Sequence, residues 1–591
     1  MHDLAPTTGV SRWLSALDTA LAQNNIGAAT GLFATERYWR DLVAFSWNII
    51  TVEGHDGISS MLRATLRSVQ PRAWRVDGEA TAAGGLTEAW FTFETAVGRG
   101  KGHVRLIGDR AVTLLTTLDE LKGHEERRGA TRERGVEHRA TPNRRTWLDL
   151  RQAEEAALGT TVQPYCVIIG GGQGGMALGA RLRRLGVPAI ILEKNARAGD
   201  SWRKRYRSLV LHDPVWYDHL PYLPFPDHWP VFTPKDKMGD WLEMYAKVME
   251  LNYWASSECL AAGHDESARE WVLRVDRAGS AVALRCKALV FATGAYGPPR
   301  EIDLPGAKSF AGEQYHSSRH QSGERFLGKR AVVIGSNTSA HDIAVDLWEG
   351  GAAEVTMVQR SPTTVVRSET LMDLAFAGLY SEPALQNGLT TEKADLVAAS
   401  LPFRLMADWQ RPIYQEIARR DADLYARLAK AGFLLDFGVD GSGLMMKALR
   451  TGSGYYIDVG GSELIARGAI KLKAGVEIKE VRPHSVVFRD GSELPADLIV
   501  YATGYQSMNR WLAQIISEEA ADAVGPCWGY GSGTPGDPGP WQGELRNMWK
   551  PTALPALWFH GGNLALSRHY SLYLALQLKA RYEAMPTPVY R

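Results

Sequence analysis

The 591-residue sequence predicts an α/β protein in which two strand–turn–helix–strand units follow an α+β block. Three observations carry that class. Short apolar strands alternate with helices after Gln163, a similar turn recurs in the same setting near Val332, and the residues before Lys122 show no such alternation. A hydrophobic share of 45% with 23% charged residues describes an ordered globular chain, long enough for roughly three to four domains. Lys+Arg 67 against Asp+Glu 66 leaves +1, so no bulk field draws nucleic acid or an anionic membrane. The expected partner is a small molecule.

Along the chain, residues 1–125 form the α+β block. It opens with a helix whose Val10, Trp13, Leu14, Leu17 and Leu21 share one face, and strand-like runs follow at 45–52, 89–93 and 112–117. From Lys122 to about Arg145 the composition turns to Glu, Arg, Gly and His, which marks a linker over 126–160. The first nucleotide-type unit is expected over 161–325 and the second over 326–494, with a helix-rich insertion at 368–447. Residues 495–591 are expected to return to the first unit. Cys166, Cys259, Cys286 and Cys527 lie far apart without a CxxC pair or metal spacing, so neither a dithiol nor a metal site is expected. The amino terminus, Met1-His2-Asp3-Leu4-Ala5-Pro6, lacks a basic region followed by an apolar one, and no run of about 18 apolar residues occurs. A cytoplasmic location without a membrane is the expectation, and the sequence leaves room for a homodimer.

The first unit reads Cys166-Val167-Ile168-Ile169 as a buried strand, Gly170-Gly171-Gly172-Gln173-Gly174-Gly175 as a turn, then a helix ended by Gly186 and a strand ending at Glu193. Gly170 permits the tight turn, Gly172 lets a pyrophosphate approach, and Gly175 allows close helix packing, with Gly174 beside it at the helix amino end. Glu193, eighteen residues past Gly175, accepts from a ribose, and Lys194 follows it. This is a Rossmann-type dinucleotide fingerprint. In the second unit the turn is Gly335-Ser336-Asn337-Thr338-Ser339-Ala340, where Asn337 and Ala340 replace glycines. Its second strand ends on Arg360 and Ser361 instead of an acid, a pairing suited to a 2′-phosphate. Acid in one unit and base in the other imply FAD on the first and NADPH on the second. With no cysteine pair to take electrons, molecular oxygen is the leading acceptor, and oxygenation needs a closed, mostly dry pocket.

These residues resemble class B flavoprotein monooxygenases, and more particularly the flavin-containing monooxygenases, over roughly residues 164–582. The resemblance also rests on Gly199-Asp200-Ser201-Trp202, which adds Trp202 to the cofactor contacts, and on Ala292-Thr293-Gly294. Phe310-Ala311-Gly312-Glu313-Gln314-Tyr315-His316 is similar to the family's F-x-G-x-x-x-H signature, although His320 stands where an aromatic is expected. Tyr501-Ala502-Thr503-Gly504-Tyr505 completes it, and Ala502, Thr503 and Gly504 join the expected cofactor contacts. In the stretch Leu209-Val210-Leu211-His212-Asp213-Pro214, His212 stands in place of the family's asparagine, a feature of the type II enzymes, and the same stretch resembles the plant YUCCA enzymes. The resemblance implies an enzyme forming a C4a-peroxyflavin and inserting one oxygen atom into a ketone, a Baeyer–Villiger oxidation, with NADH as a permitted alternative to NADPH.

Oxygenation of nitrogen, sulfur or an indole-type substrate, or a non-oxygenating reductase or oxidase, stays open on the sequence. The expected catalytic residues are His212, a donor to the nicotinamide ribose or the flavin peroxide, and Arg367, held by Asp213 so that it stabilises an anionic peroxide. A surface arginine after a strand is the other reading of Arg367. The amino-terminal block resembles the SnoaL-like, nuclear-transport-factor-like cone through Trp39-Arg40-Asp41-Leu42, Trp47 and Leu118-Asp119-Glu120-Leu121-Lys122-Gly123. Asp41 and His55 are weighed there as an acid/base pair against a packing module.

Overall fold

The computed structural model describes residues 6–531 and 541–591, so the terminal residues 1–5 examined for a leader lie outside the described part. The amino-terminal unit has helices Pro6–Ala22, Ile26–Gly31 and Gly54–Val69 against a six-stranded sheet. Its strand order is Ile49–Glu53, Phe33–Leu42, Arg110–Leu121, Gly98–Ile107, Leu86–Glu94 and Arg72–Ala83. Trp13, Phe33, Trp39, Phe45, Trp74, Phe91 and Phe93 are buried in contact with one another. Alternate glycines make room for them: a Cβ at Gly100 would meet the Phe93 ring at 2.5 Å, and one at Gly102 the Phe91 ring at 2.4 Å. Each such ring contributes about 1.5–3 kcal/mol of burial, and this aromatic core runs on into that of the first nucleotide unit.

The strand expected over 45–52 begins later. Val43 and Trp47 adopt left-handed backbone, with φ of 73° and 48°, and the segment between them is a tight turn. The Asp41 carboxylate holds this turn by accepting from the Ser46 N–H at 2.9 Å, Ser46 Oγ at 2.6 Å and the Phe45 N–H at 3.0 Å.

Two parallel five-stranded sheets form the rest of the framework. The first has the order Leu557–Phe559, Ala288–Phe291, Cys166–Ile169, Ala189–Leu192, Tyr253–Trp254. Its four longest neighbours are buried on both faces, as crossover helices require. The second has the order Glu313–His316, Leu498–Tyr501, Arg330–Ile334, Glu354–Gln359, Lys471–Ala474. Each sheet carries a three-stranded antiparallel meander, Ser257–Asp265 to Ser280–Cys286 beside the first and Ile478–Arg482 to Glu493–Pro495 beside the second. Helix Leu564–Tyr582 closes the first unit by packing on helix Gln173–Arg184.

Two expected boundaries shift. Leu498–Tyr501 pairs between Glu313–His316 and Arg330–Ile334 in the second sheet, so the chain is not back in the first unit at residue 495 and has left it before residue 325. The 126–160 linker contains helix Trp147–Ala157, capped reciprocally by Thr146 and Asp149. Arg151 of that helix donates to Asn252 at 2.7 Å and to the Leu251 carbonyl at 2.9 Å, which fastens it to the first unit.

The insertion runs through helices Thr391–Ala399, Phe403–Arg420, Ala422–Lys430 and Gly443–Thr451. Of its aromatics, Tyr414, Tyr425 and Phe433 are buried core, Phe437 packs beside them, and Trp409 is exposed with Arg105 over its ring.

Candidate active site between two nucleotide crevices

The first crevice opens at the amino end of helix Gln173–Arg184. Gly170 has φ 110°, and a Cβ there would lie 2.4 Å from the Ala292 carbonyl oxygen, so only glycine makes the turn. A Cβ on Gly175 would lie 2.0 Å from the Gly170 carbonyl oxygen, so helix and turn lie in close contact there. At Gly172 the same position meets only Ser201 Oγ at 3.7 Å, leaving the approach open. No side chain caps this helix, whose N-cap is Gly172. Its first N–H groups are therefore available to an anion. Glu193 is buried and accepts from the Gly171 N–H at 3.0 Å and from Asn195 at 2.7 Å. Trp202 donates to Gln173 at 3.3 Å, whereas Lys194 is exposed. A bound dinucleotide fits here on a further ground: Thr293 Oγ1 and Ser567 Oγ are buried with no hydrogen-bond partner among the described residues. Ser567 Oγ lies 3.7 Å from where a Gly174 Cβ would stand, so the orphaned hydroxyl borders the glycine turn.

The second crevice repeats the device. Gly335 has φ 134°, and a Cβ there would lie 2.4 Å from the Ala502 carbonyl oxygen. Asn337 is the N-cap of helix Thr338–Glu349 but makes no side-chain cap bond. Ser336 Oγ and Thr363 Oγ1 are 2.8 Å apart, and Thr338 Oγ1 donates to the Tyr455 carbonyl at 3.0 Å, so these hydroxyls brace the turn. Ser339 follows in the first helical turn. Arg360 and Ser361 are exposed just past strand Glu354–Gln359, and Arg360 forms no ion pair among the described residues, which leaves it free for a phosphate. Ala502 borders this crevice, since it packs on Gly335, while Thr503 and Gly504 meet Arg300 in the segment that leaves the first sheet. Thr503 Oγ1 donates to the Arg300 carbonyl at 2.7 Å, and His316 Nε2 lies 3.0 Å from the Gly504 carbonyl oxygen. His320, the departure from the signature, is buried between Tyr315 and Asp346 at 3.0 and 2.8 Å.

Between the crevices lies the segment of His212 and Asp213, fixed by main-chain bonds from Leu211 to Thr233 at 2.9 Å and from Val215 to Val231 at 2.8 Å. His212 Nε2 is 3.9 Å from Asp213 Oδ1. Burial raises the Asp213 carboxyl, against the pull of His212 and a hydrogen bond from Asn563. Asn563 is the N-cap of helix Leu564–Tyr582 and also donates to Tyr217 Oη at 3.2 Å. On the other side, His212 favours ionisation of Asp342, on helix Thr338–Glu349, whose carboxyl burial raises and the Tyr206 hydroxyl bond lowers. Asp213 thus sits by the amino end of the first unit's last helix, and the His212 charge is felt by Asp342 of the second unit's first helix.

Arg367 is not part of this group. Its guanidinium is held bidentately by Asp423 at 3.0 and 2.9 Å, and its N–H donates to Asp421 at 3.1 Å. Strand Thr364–Arg367 ends against the acidic first turn of helix Ala422–Lys430, which claims the charge before Asp213 can. The pairing of Arg367 with Asp213 is corrected accordingly. The acid/base pair of the amino-terminal unit is also absent: Asp41 is spent on its turn and Thr116, while His55 Nε2 lies 2.9 Å from Thr30 Oγ1.

Sequence reasoning missed Asn563, Tyr217, Asp342 and the pair Arg568–Asp395. Asn563 carried a signal, an asparagine immediately before an apolar helical run. Arg568 had none. It donates to Asp395 twice at 2.8 Å and to the carbonyls of Tyr217 and His219 at 2.8 and 2.7 Å. Cys166, Cys259, Cys286 and Cys527 are all buried and free.

Two dinucleotide crevices flanking one polar segment define an α/β oxidoreductase of the two-nucleotide class. Residues 167–375 match the pyridine nucleotide-disulphide oxidoreductase family. The indole-3-pyruvate monooxygenase YUCCA1 of Oryza sativa subsp. japonica is 32% identical over 368 residues, 62% of this chain and 82% of that protein. The probable indole-3-pyruvate monooxygenase YUCCA9 of Arabidopsis thaliana is 29% identical over 354 residues, 59% of this chain and 76% of the relative. The ε-caprolactone-bound crystal structure of cyclohexanone monooxygenase shares the fold, with a TM-score of 0.51 and 17% identity over 71% of this chain and 88% of its own. OTEMO in complex with FAD and NADP gives 0.50 and 19% over 71% and 85%. The chain belongs to the flavin-dependent monooxygenase family and is an enzyme of that class. Among the described residues no helix is long and apolar enough to cross a membrane.

Proposed function

We propose that this enzyme binds FAD in the first crevice and NADPH in the second, and inserts one oxygen atom beside a ketone carbonyl to give an ester or lactone. The observation that carries the reading is the placement of His212 and Asp213 between Asn563 of the first unit and Asp342 of the second. A nicotinamide and a flavin reaching from the two turns would meet there. The uncapped helix ends after Gly172 and Asn337 hold the two pyrophosphates, Glu193 takes the adenosine ribose of FAD, and Arg360 with Ser361 takes the 2′-phosphate. FAD, when bound and reduced, supplies the activation of molecular oxygen. His212 donates to the nicotinamide ribose and so orients it. Tyr217, packed edge-on against Phe376 at 5.2 Å and Tyr380 at 4.7 Å, closes one wall against water. The four separate, buried thiols support a reducing, cytoplasmic setting. The filled aromatic core of the amino-terminal unit supports a packing role for a cone of the SnoaL-like kind.

The relatives named for indole-3-pyruvate and cyclohexanone both act on carbonyl compounds, and this favours a ketone over an amine or sulfide. A 2-oxo acid is the second reading on the same ground. The test is anaerobic reduction of the FAD-loaded enzyme by NADPH, followed by oxygen with a cyclic ketone, indole-3-pyruvate or a thioether. Ester or lactone from the ketone is expected. Oxidised flavin with stoichiometric hydrogen peroxide, and no oxygenated product from any of the three, would overturn the reading in favour of an oxidase.

A further inference from the structure

The amino-terminal unit meets helix Leu564–Tyr582 through Arg40 and Tyr570, and it meets the insertion at one short helix. Helix Thr391–Ala399 of the insertion ends at Ser400, and its carboxyl end is capped by two arginines from strands of the amino-terminal sheet. Arg40 Nη1 donates to the Ala399 carbonyl at 2.5 Å, and Arg105 donates to the Ser400 carbonyl at 3.2 Å and to Ser400 Oγ at 2.8 Å. Two guanidinium groups there satisfy the last carbonyls and complement the negative helix end. Both arginines are buried, at 2% and 3% exposure, so water is a poor substitute for either bond.

The other end of the same helix grips the catalytic segment. Thr391 Oγ1 donates to the Trp216 carbonyl at 3.3 Å. Asp395, in the middle, takes the bidentate fork of Arg568, whose remaining amino group holds the Tyr217 and His219 carbonyls. Residues 214–220 have almost no ladder bonds, so their position depends on these side-chain contacts and a few main-chain turns. Asp213, one residue before this loop, and Tyr217 within it are the groups tied to Asn563.

We infer that Arg105 and Arg40 are positioning residues for oxygenation: by capping helix Thr391–Ala399 they hold Asp395, hence Arg568, hence the loop that carries Asp213 and Tyr217. The amino-terminal unit is then part of the working site without touching substrate. Its catalytic consequence rests on the monooxygenase reading, whereas its mechanical part does not.

The experiment uses full-length, FAD-loaded enzyme in three variants, Arg105→Ala, Arg105→Lys and Asp395→Asn. Amide hydrogen exchange is followed at residues 212–220, with the meander at 271–286 as an internal control. Exchange at 212–220 is expected to rise by about tenfold or more in Arg105→Ala and Asp395→Asn, with the control unchanged and with partial rescue in Arg105→Lys. In the same samples the substrate KM and the fraction of NADPH lost as hydrogen peroxide should rise. Exchange at 212–220 within about twofold of wild type in the folded variants would overturn the coupling. Should Arg105→Ala fail to fold, Arg105→Lys and Asp395→Asn decide on the same readout. Faster exchange in variants of an enzyme that makes only peroxide would sink the monooxygenase reading and leave the coupling standing. Oxygenated product with unchanged exchange would do the reverse.

Discussion

The contact between Arg40 and Glu544 should be the most expensive single link between the amino-terminal unit and the rest of the enzyme. Its two nitrogen–oxygen distances are 2.6 and 2.7 Å, and both side chains are 2% exposed. Around it, Thr51 Oγ1 donates to Glu544 at 2.7 Å, Arg40 donates to Tyr570 Oη at 3.0 Å, and the guanidinium lies 5.0 Å from the centre of the Phe403 ring. Glu544 also draws up the Lys550 ammonium, which burial pushes down to about 8. Removing one partner from such a pair leaves the other charged, dry and uncompensated, a loss of about 3–5 kcal/mol. Replacing both by apolar residues removes both desolvation costs, and the result is near neutral in comparable pairs. Arg40→Met and Glu544→Leu should therefore each lower the first melting transition by roughly 10 °C or more, and the double variant should recover part of it, the Ala399 carbonyl still lacking its arginine. Tryptophan fluorescence during thermal unfolding measures this, read transition by transition because a chain of several units need not melt in two states. A loss below about 1 kcal/mol for Arg40→Met, or a double variant no better than the worse single one, would refute the reasoning.

Four further outcomes follow from the geometry. Gly170→Ala, with φ 110° and 2.4 Å to the Ala292 oxygen, should purify without bound flavin. Gly335→Ala, with φ 134° and 2.4 Å to the Ala502 oxygen, should keep flavin but weaken NADPH binding by at least about tenfold, ~1.4 kcal/mol, in a titration; unchanged NADPH affinity would remove that crevice from the nucleotide path. Arg367→Ala should leave the ratio of product to NADPH consumed unaltered, because its guanidinium is taken by Asp423 and borders Asp421; a collapse in product yield would restore it to the site. Burial holds His219, His341 and His569 neutral, each with its pKa pushed down to about 4. Below an unfolded value near 6.5 the unfolded chain binds protons that the folded one refuses, so stability is complete above about pH 6.5 and falls toward pH 4, by on the order of 1–3 kcal/mol per histidine. The imidazole signals of these three histidines, followed by NMR from about pH 8 to pH 5, should stay those of the neutral ring, and titration near pH 6.5 would contradict the buried neutral assignments.

The parts of the site that the sequence made legible are those whose physics is local. A strand, a glycine with positive φ and a helix amino end are contiguous in each nucleotide unit, so Gly170 and Gly335 announce themselves within a few residues. Sheet membership is not local. The four apolar residues of Leu498–Tyr501 suit either parallel sheet, and only their pairing with Glu313–His316 and Arg330–Ile334 shows which sheet received them. The same holds for the stretch after Leu42, where aromatic and β-branched content pointed to a strand but an Asp41 carboxylate with two N–H partners made a turn.

Arginine forks are the least legible of all, because a guanidinium takes whichever carboxylate the tertiary fold sets in its plane. Arg40 finds Glu544, Arg568 finds Asp395 and Arg367 finds Asp423, pairs separated by 504, 173 and 56 residues. No periodicity links such positions. Strand Thr364–Arg367 pairs in parallel with Tyr455–Asp458, so Arg367 leaves the sheet beside Asp458 and the helix start that carries Asp421 and Asp423. Three acids at that strand end outcompete a single Asp213 already engaged by Asn563. An arginine shortly after a nucleotide turn is therefore not enough to name an oxygenation residue; the decisive question is which carboxylates its strand end meets first, and that is answered only by the register of the two strands.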